Sequence, residues 1–259
     1  VARTFDDSGF LVARKLLTVA QTEAIRAGLL RKAEELSASG DYGNDRNLEE
    51  PAKGDPQAVP LHERFRKLNQ LDLVPELWEH WYAGESVLKL VAEFLGPDIL
   101  NKYASAFLKP ARIGGATPWH QDIGLWRDNN SDAVNGWLAV DAATRSNGCL
   151  QFVGGSHTGP VVDHVEYEDS IHAELPREMC THLGVEHIEL EAGDAVFWHS
   201  HMWHFSPPNT SSKGRIGSGA VWVNPAQISQ LTHAKRLRWA MRAGQVLPCP
   251  APELIVSTD

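Results

Sequence analysis

From Asp98 onward the chain is a series of short apolar runs broken by Gly, Pro, Asn and Ser. They read "ILNKYASAFLKPA", "PWHQD", "GWLAVDAA", "CLQFVGG", "VEHIELEAGD", "AVFWHSHMWH" and "RIGSGAVWV". Runs of this length between turn-forming clusters predict the strands of a two-sheet sandwich or barrel. Before Asp98 the period changes. "SGFLVARKLL" predicts one short strand, and Thr18 then opens a helix with Gln21 as its capping-box partner. Ile25, Leu29, Ala33 and Leu36 place one apolar stripe along that helix. A second helix is predicted from Ser86 to Leu95, with Val87, Val91 and Phe94 on one face and Gly96-Pro97 ending it. Ser39 to Pro56 is polar and rich in Gly, Pro and acids, the composition of a lid or a disordered segment. Ile228 to Arg242 carries Lys235, Arg236, Arg238 and Arg242 and predicts a helix with a solvated basic face.

No internal repeat or interdomain linker divides these elements. The expectation is one domain over residues 1–259: a helical N-terminal part (about 1–97), a β core (about 98–225) and a C-terminal helix (about 226–244).

With 42% hydrophobic and 22% charged residues, 259 positions can bury a sizeable core. A formal net charge of −9 argues against nucleic acid and against anionic membrane surfaces as partners. Cys149, Cys180 and Cys249 form no CxxC pair and no disulfide framework, which fits a reducing compartment. No apolar run approaches a membrane span, and the first residues do not read as a signal peptide. The expectation is a cytoplasmic monomer or homodimer acting on a small-molecule substrate.

The chemistry concentrates in "TPWHQDIGLW", Thr117 to Trp126. In an extended strand, residues i and i+2 share a face, so His120 and Asp122 aim an imidazole and a carboxylate at one point while Gln121, which looks exposed, faces away. A divalent metal needs that pair, and so does an ordinary His–Asp hydrogen bond. A metal would want a third ligand, and composition alone does not choose among His199, His201 and His204. Downstream, "PPNTSSKG" is a turn cluster that predicts a hairpin, with His204 ending its first strand and Arg215 opening its second. A guanidinium there is suited to grip a carboxylate bidentately, and Gly217 and Gly219 on the same face would leave room for a small molecule. Two histidines, one carboxylate and open positions make the facial triad of non-haem Fe(II) oxygenases. A non-catalytic metal-binding jelly roll and a zinc hydrolase are the rival readings. Neither has a use for the carboxylate clamp.

These residues, in this order from Lys67 to Val223, resemble the phytanoyl-CoA dioxygenase family of Fe(II)/2-oxoglutarate-dependent oxygenases. The resemblance is carried by "WHQD", "NGCLQFVGGSHTG", "GDAVFWHSHMWH", Asn209 and Arg215. It implies a mainly β double-stranded β-helix, or jelly roll, with flanking helices. It places the metal ligands on His120, Asp122 and His204 and the 2-oxoglutarate-binding arginine on Arg215, with Asn209 fixing the register. Trp137, Ser206, Lys67 and Ser105 are implied to line the 2-oxoglutarate site. Fe(II), 2-oxoglutarate and O2 are the implied cofactor and co-substrates, with succinate and CO2 released. Related halogenases replace the metal-binding carboxylate with a small residue, so Asp122 implies hydroxylation or a related oxidation. Of the remaining candidates, His199 and His201 either support the metal ligands, contact substrate or face solvent. His157 is expected to make a structural hydrogen bond, and Trp119 and Trp126 form either core or substrate wall.

Overall fold

The alternation read after Asp98 folds into two antiparallel sheets in the computed structural model, which describes residues 2–42, 47–49, 54–55, 60–126, 133–226 and 237–249. The larger sheet contains β1 (Phe10–Ala13), β2 (Lys67–Asn69), β3 (Ile99–Lys109), β5 (Ala133–Ala139), β8 (Ala195–His199), β10 (Arg215–Val223), β11 (Arg238–Arg242) and β12 (Gln245–Val246). Its order is β1-β8-β5-β10-β3-β11-β12, with β2 also on β3. The smaller sheet is built from β4 (Thr117–His120), β6 (Leu150–Phe152), β7 (Glu186–Ile188) and β9 (His204–Ser206), in the order β4-β9-β6-β7. Two facing sheets with helices outside one of them are the mainly β jelly roll expected.

The helices cover the outer face of the larger sheet. α1 (Ala2–Ser8) precedes β1. α2 (Val19–Ser39) begins at the predicted box, where the Gln21 amide donates to Thr18 Oγ1 at 3.3 Å and the Thr18 amide donates to Gln21 Oε1 at 3.0 Å. Its stripe of Ile25, Leu29 and Ala33 is buried, as i, i+4 spacing on a 3.6-residue period requires. After α3 (Leu61–Arg64), α4 (Pro75–Leu77) runs into a π-helical turn, Trp78–Tyr82, and α5 (Glu85–Leu95) stops at Gly96 with φ 81°. Trp78, Trp81 and Tyr82 are fully buried against Phe197 and Trp222 of the sheet. Trp222 Nε1 donates to the Tyr82 carbonyl at 2.8 Å, so this large indole enters the core with its polar atom paired. Gly136 makes room for it, because a Cβ there would lie 2.6 Å from the Trp222 ring. Truncating Trp222 to alanine would cost on the order of 3–5 kcal/mol.

Three expectations are corrected. Residues 238–242, assigned above to a C-terminal helix, form strand β11 on β3 (228–236 lie outside the described residues). The reason is burial. Arg238 is not on a solvated face but holds Asp72 through Nε at 3.0 Å, with both side chains inside. The run "AVFWHSHMWH" is two strands rather than one, turning where the Met202 amide donates to the His199 carbonyl at 2.9 Å. β8 belongs to the larger sheet and β9 to the smaller. The segment 207–214 is therefore no hairpin turn. It carries the chain back across the sandwich, from β9 to β10. Half of the polar stretch from Ser39 to Pro56 lies outside the described residues.

Candidate metal centre

β4 and β9 are neighbours in the smaller sheet, and His120 and His204 are register partners on them. This pairing brings the two rings to 4.0 Å between centroids. Each Nδ1 is engaged by backbone, His120 with the Pro118 carbonyl at 2.8 Å and His204 with the Met202 carbonyl at 3.0 Å. With Nδ1 donating, each Nε2 carries the lone pair and faces Asp122, at 3.4 Å from His120 and 3.7 Å from His204. Asp122 begins a four-residue helix, α6 (Asp122–Leu125), just past the end of β4. One ligand atom from each of the three lies within 4.8 Å of the other two, so the set is preformed for a metal ion.

The electrostatics fit that use. Burial works to raise the Asp122 pKa, but His204, His120 and the Trp198 indole outweigh it and hold the carboxylate at about 2. Burial, reinforced by His120, lowers His204 to about 4, leaving a neutral ring at neutral pH. A carboxylate and a neutral imidazole are the protonation states a metal binds.

Ser206 follows His204 by two residues and so lies on the same strand face, roughly 7 Å along. Its hydroxyl donates to the Gly148 carbonyl at 2.8 Å and accepts from Arg215 Nη2 at 3.1 Å. Nη2 also donates to the Gly148 carbonyl. Arg215 is fully buried and its Nε has no partner. No carboxylate lies within ion-pair distance of it among the described residues. Burial lowers its pKa to about 10, against Cys149 and Asp141, so it remains a cation. The guanidinium lies 4.7 Å from the Trp137 ring centre.

Arg215, Ser206 and Trp137 are thus brought together, near His204. Lys67 and Ser105 sit farther along, on β2 and β3. Lys67 Nζ lies 5.1 Å from the Tyr103 ring and 5.5 Å from that of Phe107, while Ser105 Oγ donates to Asn69 Oδ1 at 2.9 Å. Gly217 and Gly219 leave no empty room, contrary to expectation. A Cβ at 217 would lie 1.8 Å from the Trp137 ring, and one at 219 would lie 2.9 Å from Phe107. The glycines admit the aromatic walls of the site. Gln121 is likewise not exposed but fully buried. Its side chain donates to the carbonyls of Pro160 and His201 and accepts from the Val162 amide.

Asn209 organises the crossing to β10. Its Nδ2 donates to the carbonyls of Lys109 and Lys213. His157 makes its structural hydrogen bond, to the Asp6 carbonyl at 3.1 Å. His199 and His201 form an edge-on pair at 4.9 Å outside the ligand set. Trp119 stacks on Phe205 at 5.3 Å and Trp126 lies under Lys102, both half-buried. Sequence reasoning missed Trp198, whose Nε1 donates to Asp122 Oδ2. It also missed His172, edge-on to His120 at 4.8 Å, and Lys109, the β3 partner of Arg215. For Lys109 a signal existed: it continues the alternation Tyr103, Ser105, Phe107 on one strand face.

A jelly roll that brings two histidines of the smaller sheet together with an aspartate just past β4 offers the two-histidine, one-carboxylate ligand set of a facial metal site. A profile of the phytanoyl-CoA dioxygenase (PhyH) family matches residues 5–217, and the chain belongs to that family. The peroxisomal phytanoyl-CoA dioxygenase of Bos taurus is 28% identical over 222 residues, covering 80% of this chain and 63% of that protein. L-proline trans-4-hydroxylase of Streptomyces griseoviridis is 30% identical over 151 residues, covering 50% and 56%. This chain thus spans less than two thirds of these relatives. Among solved structures, EctD from S. alaskensis with 2-oxoglutarate and 5-hydroxyectoine shares the fold, with a TM-score of 0.68, 18% identity and coverage of 87% and 76%.

Proposed function

We propose that this chain is an Fe(II)- and 2-oxoglutarate-dependent dioxygenase that hydroxylates, or otherwise oxidises, an unactivated C–H bond of a small-molecule metabolite. The observation that carries the reading is Arg215. It is a buried guanidinium with no carboxylate within ion-pair distance among the described residues, bonded to a serine one pleat from the metal-facing His204. Leaving a cation so placed is costly unless a ligand supplies the anion. A metal-chelating dicarboxylate such as 2-oxoglutarate would supply it.

In this reading His120, Asp122 and His204 would hold the iron, at a site shared with 2-oxoglutarate and O2. Bound iron supplies the oxidising power as 2-oxoglutarate is decarboxylated to succinate and CO2. Arg215 and Ser206 would fix the far carboxylate, with the Trp137 ring beside the guanidinium. Asp122 occupies the position a halide would need, which favours oxygen insertion over halogenation. The named substrates of the two curated relatives, an acyl-CoA and an amino acid, bracket a wide range of small molecules. No helix among the described residues is long and apolar enough to cross a membrane.

The test is conversion of 2-oxoglutarate to succinate by the purified chain, with Fe(II) and with Zn(II). Succinate formed with iron only is the expected result. A zinc-supported hydrolysis, or metal binding without succinate, would replace this reading by one of its rivals. Screening metabolite pools for extra succinate would then identify the substrate.

A further inference from the structure

We propose that Lys109 is a positioning and selectivity residue for the dicarboxylate co-substrate. It holds Ser206 in place and adds a second positive charge behind Arg215. The proposal rests on the oxygenase reading above.

Lys109 ends β3 directly opposite Arg215 on β10, on the face that carries Phe107 and Ser105. It is 5% exposed, and lysines are almost never buried without a carboxylate partner. Here none is within ion-pair distance among the described residues. Instead the ammonium donates to three carbonyls: Gly115 at 2.6 Å, Pro207 at 2.7 Å and Ser206 at 3.1 Å. Burial and then the neighbouring Arg215 push its pKa well below the ordinary lysine value. The hydrogen bonds act the other way. Three carbonyls are satisfied by the three N–H groups of an ammonium, whereas a neutral amine has only two.

This arrangement joins three pieces of chain to the end of β3. Two of the bonds fix residues 206 and 207, the point where the chain leaves the smaller sheet. The third fixes the loop before β4. Gly148 completes the packing: with φ 87° it has no side chain to collide with the Lys109 stem, and a Cβ there would lie 2.8 Å from Lys109 Cδ. The Gly148 carbonyl is in turn the acceptor shared by Ser206 and Arg215. Lys109 therefore acts on the carboxylate through Ser206 and through space. Two neighbouring cations, with no carboxylate within ion-pair distance of either among the described residues, favour a ligand whose distal end is negative.

Selectivity between two 2-oxo acids separates this role from simple scaffolding. Both 2-oxoglutarate and 2-oxobutyrate chelate iron through the same 2-oxo-carboxylate, but only the former has a second carboxylate. Each is titrated anaerobically into the Fe(II)-loaded full chain, following the visible charge-transfer band, for wild type, Lys109→Met and Lys109→Gln. The glutamine variant retains N–H donors for the carbonyls if the methionine variant folds poorly. We expect the preference for 2-oxoglutarate over 2-oxobutyrate to fall on the order of tenfold in both variants, with 2-oxobutyrate binding changed by less than about twofold. Equal weakening of both acids would mean scaffolding only and overturn the proposal, as would an unchanged preference. A wild type that binds neither acid would overturn the oxygenase reading itself, a result distinct from either of these.

Discussion

Trp198 Nε1 lies 3.1 Å from Asp122 Oδ2, a hydrogen bond from the larger sheet to the carboxylate just past the end of a strand in the smaller one. The indole donates to one oxygen while the other faces His120 at 3.4 Å. Asp122 is thereby oriented from behind as well as by its fellow ligands. Such outer partners fix the rotamer of a ligating carboxylate.

Trp198→Phe keeps an aromatic ring but removes this donor, together with part of the buried indole volume. Metal affinity is expected to fall roughly 10- to 100-fold, the usual effect of losing an outer-shell hydrogen bond. Competition between Fe(II) and a chelator of known strength measures it. Unchanged affinity would mean that Asp122 needs no support from the indole.

His120→Ala, Asp122→Ala and His204→Ala should each abolish Fe(II)-dependent turnover, since two ligands hold the ion too weakly. His199→Ala and His201→Ala should keep the metal, because β8 and the turn after it lie outside the ligand set. Iron content by elemental analysis decides the matter. Loss of iron from His201→Ala with retention in His204→Ala would reverse the assignment.

Arg215→Lys should raise the apparent KM for 2-oxoglutarate at least about tenfold. A charge-assisted hydrogen bond contributes roughly 1.5–3 kcal/mol, and 1.4 kcal/mol is a factor of ten. Lysine cannot reproduce the fork that reaches Ser206 and a carboxylate together. Arg215→Ala should cost more, while iron affinity without co-substrate stays near wild type. Equal 2-oxoglutarate affinity in all three proteins would remove the basis of the oxygenase reading.

Asp194 makes a prediction about acid stability. Its carboxylate is buried and accepts from the amides of Lys15 and Glu191 and from Arg14 Nη1. Burial works to raise its pKa, but those donors outweigh it and lower the pKa below 3.8. The unfolded chain therefore takes up the proton first as pH falls. The stabilisation is complete above the unfolded value and is lost as pH falls from there through the lower folded value. Asp194→Asn should cost about 1–3 kcal/mol at pH 7. The gap between variant and wild type in thermal melts should then narrow below about pH 4. A gap that does not vary with pH would assign the effect to shape rather than charge.

How much of this was legible in the sequence depends on how local each feature is. The Thr18–Gln21 box and the Ile25–Leu29–Ala33 stripe are set by neighbours within one helix turn, and both formed as read. The His120/Asp122 pair is two residues apart and came together across the extended Gln121, although the strand ends at His120 and Asp122 itself opens α6. What failed was long-range. Nothing within "AVFWHSHMWH" says that its two halves enter different sheets, because both halves are apolar and both pair with strands distant in sequence. Arg238 looked solvated because its partner, Asp72, is 166 residues away. Gln121 looked exposed because its three partners come from the 160–162 loop and His201. The alternation identified strands but not which sheet each one joined.

The crossing between β9 and β10 has one further consequence. Ser206 and Arg215 belong to opposite leaves of the sandwich, so a molecule chelated beside His204 and gripped by Arg215 would fasten one leaf to the other. Co-substrate would then act as a mechanical clasp as well as a reactant. Its occupancy should be felt at the rim of both leaves, where amide hydrogens of 204–206 and 215–217 would exchange in step with one another rather than independently.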